Sequence, residues 1–290
     1  MSSSLGVIVH GGVGSPIDRD RGCKKAVAVA REMLLSGSPA LEAVVEAVAV
    51  MEDDPEYNAG TGSRPRLDMT VEMDAGLMTS DGELGIVAAI RRVKNPIRVA
   101  LEVMRRTPHI MLAGEGALSF ARRCGFGDHD PLTDERRQKA AEVLEKLRRS
   151  DDRSLLDLLG SSDTVGAVAL DSGGGLAAAN STGGTVLMLP GRVGDSPIVG
   201  AGFYVTASCA VATTGVGEEI VRRMSALRIC DAFEASPAGT PEELRAACER
   251  EAERYPREVS FGVIAMCRQG AVSADNRTMP VVSWFEAGSG

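Results

Sequence analysis

The residues with most chemistry to offer lie in the second half of the chain. In SSDTVGAVALD, residues 161–171, Thr164 stands between an acid and an apolar run. The plainer account is packing, since a β-branched side chain suits the start of a strand. The other account is chemical. Cutting the peptide bond between Asp163 and Thr164 would free an α-amine, pKa about 8, beside the hydroxyl of the same residue, so that nucleophile and base coincide. Asp163 would then be the acyl group that moves from nitrogen to oxygen. Further on, PGRVGDSP sets Arg192 and Asp195 in one loop bounded by prolines. Paired on a surface turn, they contribute about 1 kcal/mol or less. Presented separately, the guanidinium can grip a carboxylate in bidentate fashion and the aspartate an ammonium, which together describe the backbone end of an amino acid. Thr182 in STGG precedes two glycines. Thr214 and Gly215 in TTGVGE offer a hydroxyl and a backbone N–H to a developing oxyanion, or form an ordinary glycine turn.

Competing motifs are weak. TTGVGEEIV has Ile220 where a dinucleotide loop needs its third glycine. There is no GxxxxGK[ST] phosphate loop and no GxSxG elbow. His10, His109 and His129 make no paired ligand spacing, and each alone is more often structural. Catalysis without a useful histidine needs another base.

Several elements must position these groups. GVIVH, residues 6–10, is a short β-branched run ended by glycines and predicts a buried strand. Two helices follow; the second has Ser38 as a plausible N-cap, Pro39 in its first turn, and Leu41, Val44, Val45 and Val48 at helical spacing. The stretch 58–96 predicts a hairpin and a further strand, and Pro96 and Pro108 bracket a helix. Residues 128–163 carry both charge signs densely and read as an exposed, partly helical linker between two halves. Strand patterns return from Thr164 in TVGAVALD, GLAAANS, PIVGAGFYV and CAVATTG. Helices are expected near 217–234 and 241–254, and VSFGVIAMC is a last clear strand. Paired helices and hairpin-like strands favour mixed α/β layers over a regular βαβ wind.

A protein of 290 residues has length for one large layered domain or two smaller ones. With 44% hydrophobic but only 3% aromatic residues, the interior must be aliphatic. A net charge of −8 without a basic block argues against nucleic acid and anionic membranes. MSSSLGVIVHGG has no secretory pattern, so the mature protein is expected to begin near Met1 in the cytoplasm. Six cysteines without CxxC spacing read as small core residues in a reducing compartment.

VIVHGG, NAGTG, VEMDAGLM, KNPIRVA, TPHIMLAGEGA, DTVGAVALD, STGG, PGRVGDSPIVGAG and TTGVGE occur in that order. Over nearly the whole chain they resemble the plant-type asparaginases, or isoaspartyl aminopeptidases, of the N-terminal-nucleophile hydrolases. The resemblance implies an α/β (α+β) fold, a four-layer αββα sandwich in a single domain over 1–290. It implies self-cleavage between Asp163 and Thr164 into subunits 1–163 and 164–290, and a homodimer of cleaved protomers. By position it makes Thr164 the nucleophile, with Thr182 bonded to its hydroxyl. Arg192 and Asp195 become the clamps for substrate α-carboxylate and α-amine, Thr214 and Gly215 the oxyanion hole, and Asn58 a neighbour of the site. The HGGV loop, His10 to Val13, resembles one whose conformation is coupled to cleavage. MEDDPEYNAGT resembles a sodium-holding loop of backbone carbonyls at Met51, Glu52, Asp54, Tyr57, Ala59 and Thr61. No cofactor for catalysis is implied.

The implied substrates are asparagine and β-aspartyl dipeptides. The alternatives are glycosylasparaginase-like action on glycan-linked asparagine, or a non-cleaving homologue with a binding role. Three departures bear on specificity and maturation. TVLM at Thr185–Met188 replaces the family's usual Met-Thr-Asn-Lys run, Val13 follows HGG in place of a small residue, and Val216 replaces a threonine.

Overall fold

The computed structural model describes residues 4–149 and 163–288. Residues 150–162 of the expected linker lie outside the described residues; α5 (Asp134–Arg149) supplies its helical part. One sheet has seven strands in the order β11-β1-β5-β6-β2-β3-β4. These are β1 (Leu5–His10), β2 (Met73–Thr79), β3 (Leu84–Ile90), β4 (Met111–Ala113), β5 (Val165–Leu170), β6 (Leu176–Thr182) and β11 (Val281–Glu286). The second sheet has four, in the order β10-β9-β8-β7: β7 (Phe203–Val205), β8 (Cys209–Gly215), β9 (Phe261–Cys267) and β10 (Gly270–Asp275).

Strand periodicity explains the layers, because successive side chains point to opposite faces. On one face of the large sheet, Val7, Val9, Ala75, Leu77, Val165, Ala167, Ala169, Ala177 and Ala179 pack against α1 (Asp20–Leu35), α2 (Ala40–Glu52) and α3 (Pro96–Arg106). The intervening residues Ile8, Met78, Val168, Leu170 and Ala178 meet Ala210, Ala212, Ile264 and Met266 of the small sheet. Val211, Val263 and Ala265 on its far face meet α7 (Ser225–Glu234) and α8 (Pro241–Ala252). The result is helix, sheet, sheet, helix, as the resemblance implied. Alanine on so many facing positions stands in for the missing aromatics and lets the layers approach closely.

The same alternation carries down each strand to the site. In β5 and β6 the even-numbered positions face the inter-sheet space, which puts Asn180 and Thr182 there, together with Thr164 immediately before β5. Asp74 lies opposite Thr182 in the β2–β6 ladder, and Thr214 follows Ala210 and Ala212 on β8. All of these positions fall at one end of the sandwich.

Three expectations are corrected. Ser38 does not cap α2: Pro39 is the N-cap, and the first helical N–H, of Ala40, donates to Asp171 Oδ2 at 2.9 Å from across the fold. The stretch 58–96 yields the β2–β3 hairpin but no further strand, because residues 54–72 form a loop that carries site residues. The helix near 217–234 divides into α6 (Gly217–Arg223) and α7 at Met224, whose φ of 52° is left-handed. Helix α4 (Gly114–Arg123) has only Ala117 and Ala121 buried. Among the described residues no helix is long and apolar enough to cross a membrane. All six cysteines are free, five of them buried.

Candidate active site

Thr164 is fully buried, and its Oγ1 lies 3.1 Å from Ser196 Oγ. Ser196 follows Asp195 in the proline-bounded loop; sequence reasoning missed it because a serine beside an aspartate has no distinctive spacing. Thr182, buried on the neighbouring strand, accepts the Gly184 N–H at 3.0 Å. With the backbone still uncut, then, the hydroxyl partner of Thr164 is Ser196. Asn58 acts one step back. Its Nδ2 donates to the Gly184 carbonyl at 2.6 Å and its Oδ1 accepts the Arg64 N–H at 2.9 Å, tying the turn after Thr182 to the 54–72 loop.

Arg192 and Asp195 do not pair with each other. The Arg192 guanidinium donates through Nε and Nη2 to Glu218, each at 2.9 Å. Asp195 is buried with Oδ2 unpartnered, and that desolvation, only partly offset by Arg192, pushes its carboxyl up to about 7. Both nevertheless approach the same glycine. A Cβ on Gly217, the first residue of α6, would lie 2.8 Å from Arg192 Nη2 and 2.8 Å from Asp195 Oδ1. A cation and an anion that approach one glycine this closely can hold the two ends of an amino-acid backbone once the Arg192–Glu218 pair opens.

Thr214 and Gly215 close β8. Thr214 Oγ1 accepts the Val13 N–H at 3.4 Å. At Gly215 a Cβ would strike the Ser260 carbonyl, 2.2 Å away. The His10–Val13 loop therefore reaches Thr214, and it also reaches the peptide before Thr164: a Cβ on Gly12 (φ 96°) would lie 2.8 Å from Asp163 Cα. The loop touches both the expected scissile residue and the expected oxyanion hole. Asp163 itself is held by Arg64, Nη2 to Oδ2 at 2.5 Å. His10 is fully buried, and burial pulls its imidazole down to about 3, so it is neutral and matches a structural role.

Behind these groups lies a layer of charge that sequence reasoning missed. Arg66 is fully buried, donating to Glu72 through Nε at 3.2 Å and through Nη2 to the carbonyls of Glu72 at 3.0 Å and Arg192 at 3.3 Å. Its Nη1 lies 2.9 Å from the place a Gly184 Cβ would take, where the Met188 methyl also packs. Glu72 further binds the Gly191 N–H at 2.6 Å, so the loop that carries Arg192 and Asp195 is anchored from below. On the opposite face of β6, Ser181 donates to Glu52 Oε1 at 2.6 Å, as does the Ile97 N–H at 3.0 Å. Burial raises the Glu52 carboxyl to about 8, leaving it protonated at neutral pH.

The expected ion loop is folded back on itself. The Thr61 N–H donates to the Glu52 carbonyl at 2.8 Å, and the Met51 and Asp54 carbonyls accept from Asp54 at 3.3 Å and Tyr57 at 3.1 Å. Each such carbonyl keeps a second lone pair. Arg136 also reaches this loop, at the carbonyls of Glu56, 3.0 Å, and Tyr57, 3.4 Å. Among the described residues no cluster of three or more His, Cys, Asp or Glu side chains is arranged to hold a metal.

A family model described as asparaginase matches residues 4–289. A plant-type L-asparaginase of Pyrobaculum calidifontis is 40% identical, over 94% of each chain. A plant-type L-asparaginase of Pyrococcus abyssi is 44% identical, covering 75% of this chain and 76% of its own. An isoaspartyl peptidase/L-asparaginase of Macaca fascicularis is 43% identical, covering 74% and 72%.

Proposed function

Since the chain belongs to the asparaginase family, we propose that it hydrolyses the side-chain amide of L-asparagine and the isopeptide bond of β-aspartyl dipeptides, after cutting itself between Asp163 and Thr164. The observation that carries this reading is the convergence of Arg192 and Asp195 on Gly217, while Ser196, next to Asp195, bonds the buried hydroxyl of Thr164 immediately before β5.

Before cleavage the Thr164 nitrogen is an amide and cannot act as a base. Cleavage turns it into an amine next to Oγ1. The substrate carboxylate then displaces Glu218 from Arg192, and its ammonium binds the Asp195 carboxylate, which fixes the β-carbonyl over Thr164. The freed amine takes the hydroxyl proton as Oγ1 attacks. The Thr214 hydroxyl and the Gly215 N–H stabilise the oxyanion once Val13 has withdrawn from Thr214. The Thr164 ammonium returns the proton to the leaving nitrogen, and water releases aspartate from the ester. Ser196 and Thr182 hold the nucleophile's rotamer, while Asn58 braces the turn behind them.

The reading extends to a homodimer of cleaved protomers in the cytoplasm, which six free cysteines favour. It also includes a sodium ion on the carbonyls of Met51, Glu52, Asp54, Tyr57, Ala59 and Thr61, supported by closure of that loop through Thr61. The test is intact mass with substrate turnover. A matured preparation should give fragments 1–163 and 164–290, releasing ammonia from asparagine and aspartate from a β-aspartyl dipeptide. Thr164→Ala should remain a single inactive polypeptide of 30.4 kDa. Turnover by the unbroken polypeptide would refute the mechanism.

A further inference from the structure

The residue before the nucleophile is an aspartate, and its carboxylate has a fitted receptor. Arg64 Nη2 binds Asp163 Oδ2 at 2.5 Å, with the two side chains only 18% and 13% exposed. The Arg64 backbone is fixed by its N–H bond to Asn58 Oδ1 at 2.9 Å. Gly12 packs on the Asp163 backbone from the other side. Arg136, partly buried and anchored on the Glu56 carbonyl at 3.0 Å, adds positive potential around Arg64 and Asp163, and Arg19 is a further cation near Arg136. Glu135 is the acidic neighbour of this cluster, and it is engaged by Lys139 at 2.5 Å.

Cleavage followed by departure of the Asp163 end takes this carboxylate off Arg64 Nη2, while the Arg64 backbone stays bonded to Asn58. Resting on the function proposed above, we propose that Arg64 is a specificity-determining residue: it receives the α-carboxylate of the amino acid that leaves from a β-aspartyl dipeptide. The reach fits. The leaving nitrogen must come within about 3 Å of the Thr164 nitrogen to accept its proton. The carboxylate carbon of a leaving amino acid lies two covalent bonds beyond that nitrogen. The Asp163 carboxylate carbon, now on Arg64, lies four covalent bonds from the same Thr164 nitrogen, a comparable span. In the reaction the isopeptide C–N bond of the substrate breaks after its carbonyl carbon bonds to Thr164 Oγ1. The hydroxyl proton passes through the Thr164 amine to the leaving nitrogen, and the free amino acid departs with its carboxylate intact. Ammonia, which leaves from asparagine, has nothing to offer Arg64.

The experiment compares β-aspartyl-leucine with β-aspartyl-leucinamide, whose leaving group lacks the carboxylate, on matured protein, with rates expressed per mole of the 164–290 fragment. The wild type should favour the free acid in kcat/KM by about 10- to 150-fold, the range for a hydrogen bond between charged groups. Arg64→Gln should bring that ratio close to one. Equal kcat/KM for the two compounds in the wild type overturns the inference while leaving the hydrolase reading in place, and this arm needs no variant. A ratio that survives in Arg64→Gln also overturns it. Failure of matured wild type to turn over either dipeptide or asparagine refutes both.

Discussion

Gly217→Ala tests the proposed substrate clamp, because the groups nearest its added methyl are those of Arg192 and Asp195. The added methyl would lie 2.8 Å from Arg192 Nη2, 2.8 Å from Asp195 Oδ1 and 3.1 Å from the Asp195 backbone nitrogen. Ordinary carbon–oxygen contact needs about 3.4 Å, so Asp195 Oδ1 must retreat by roughly 0.6 Å. Arg192 can swing, but Asp195 is buried on a short loop and has little room. A substrate ammonium bonded at about 2.8 Å would then sit near 3.4 Å, beyond hydrogen-bond range. Losing a charge-assisted bond removes about 1.5–3 kcal/mol, or about 10- to 150-fold in kcat/KM. Crowding against buried Asp195 should cost about 1–3 kcal/mol of stability, partly offset at this helical position. The Gly217 backbone lies outside the left-handed region, and alanine in a helix is better than glycine by up to roughly 1 kcal/mol. Ammonia release from asparagine gives kcat/KM, a gel gives the cut fraction, and thermal unfolding gives stability. A variant that is fully cut, normally stable and within twofold of wild type in kcat/KM would falsify the assignment of Arg192 and Asp195 as the clamp.

Gly12→Ala strains a residue at φ 96° by about 1–2 kcal/mol and drives a methyl to 2.8 Å from Asp163 Cα, so self-cleavage should slow at least tenfold in a mass-spectrometric time course. An unchanged rate would show that the loop does not position the scissile bond. Asp195 must be ionised to bind an ammonium, and in the free enzyme its carboxyl stands at about 7. KM for asparagine should therefore fall as pH rises from about 5 to 8, across that titration, and Asp195→Asn should lose this dependence. The sign for folding is opposite: an acid whose pKa is raised in the folded state contributes less to stability as pH climbs from 3.8 towards 7. A KM flat over that range would count against Asp195 as the ammonium partner.

Much of this architecture could be read from residue order because local pattern and tertiary role agree. GVIVH is a strand whose alternate residues serve two different cores, and TVGAVALD, distant in sequence but next to it in the sheet, does the same. The chemical residues were readable where a motif binds type to spacing, as in PGRVGDSP. What escaped has no such local mark. Asp171 caps α2 from 131 positions away, and Glu52 meets Ser181 only once α2 lies on β6. Arg66 looked like one more charge in a polar loop, yet it is among the largest fully buried side chains. The Arg192–Glu218 pair was invisible for the opposite reason: sequence proximity pointed to Asp195, and the turn into α6 brought Glu218 instead.

The order of strands in the large sheet has a consequence for the lifetime of the matured protein. With a break before β5, β1 belongs to the first fragment but lies between β11 and β5, which belong to the second, and β2 of the first pairs with β6 of the second. Three hydrogen-bonded seams thus join the fragments like interlaced fingers, and dilution alone should not part them. Once melted, however, they must find each other again in solution, so recovery becomes second order in protein concentration and slow for dilute samples. Such a nick would leave unimolecular folding to the chain that is still whole, and heat damage after it would be repaired only as fast as the two fragments meet.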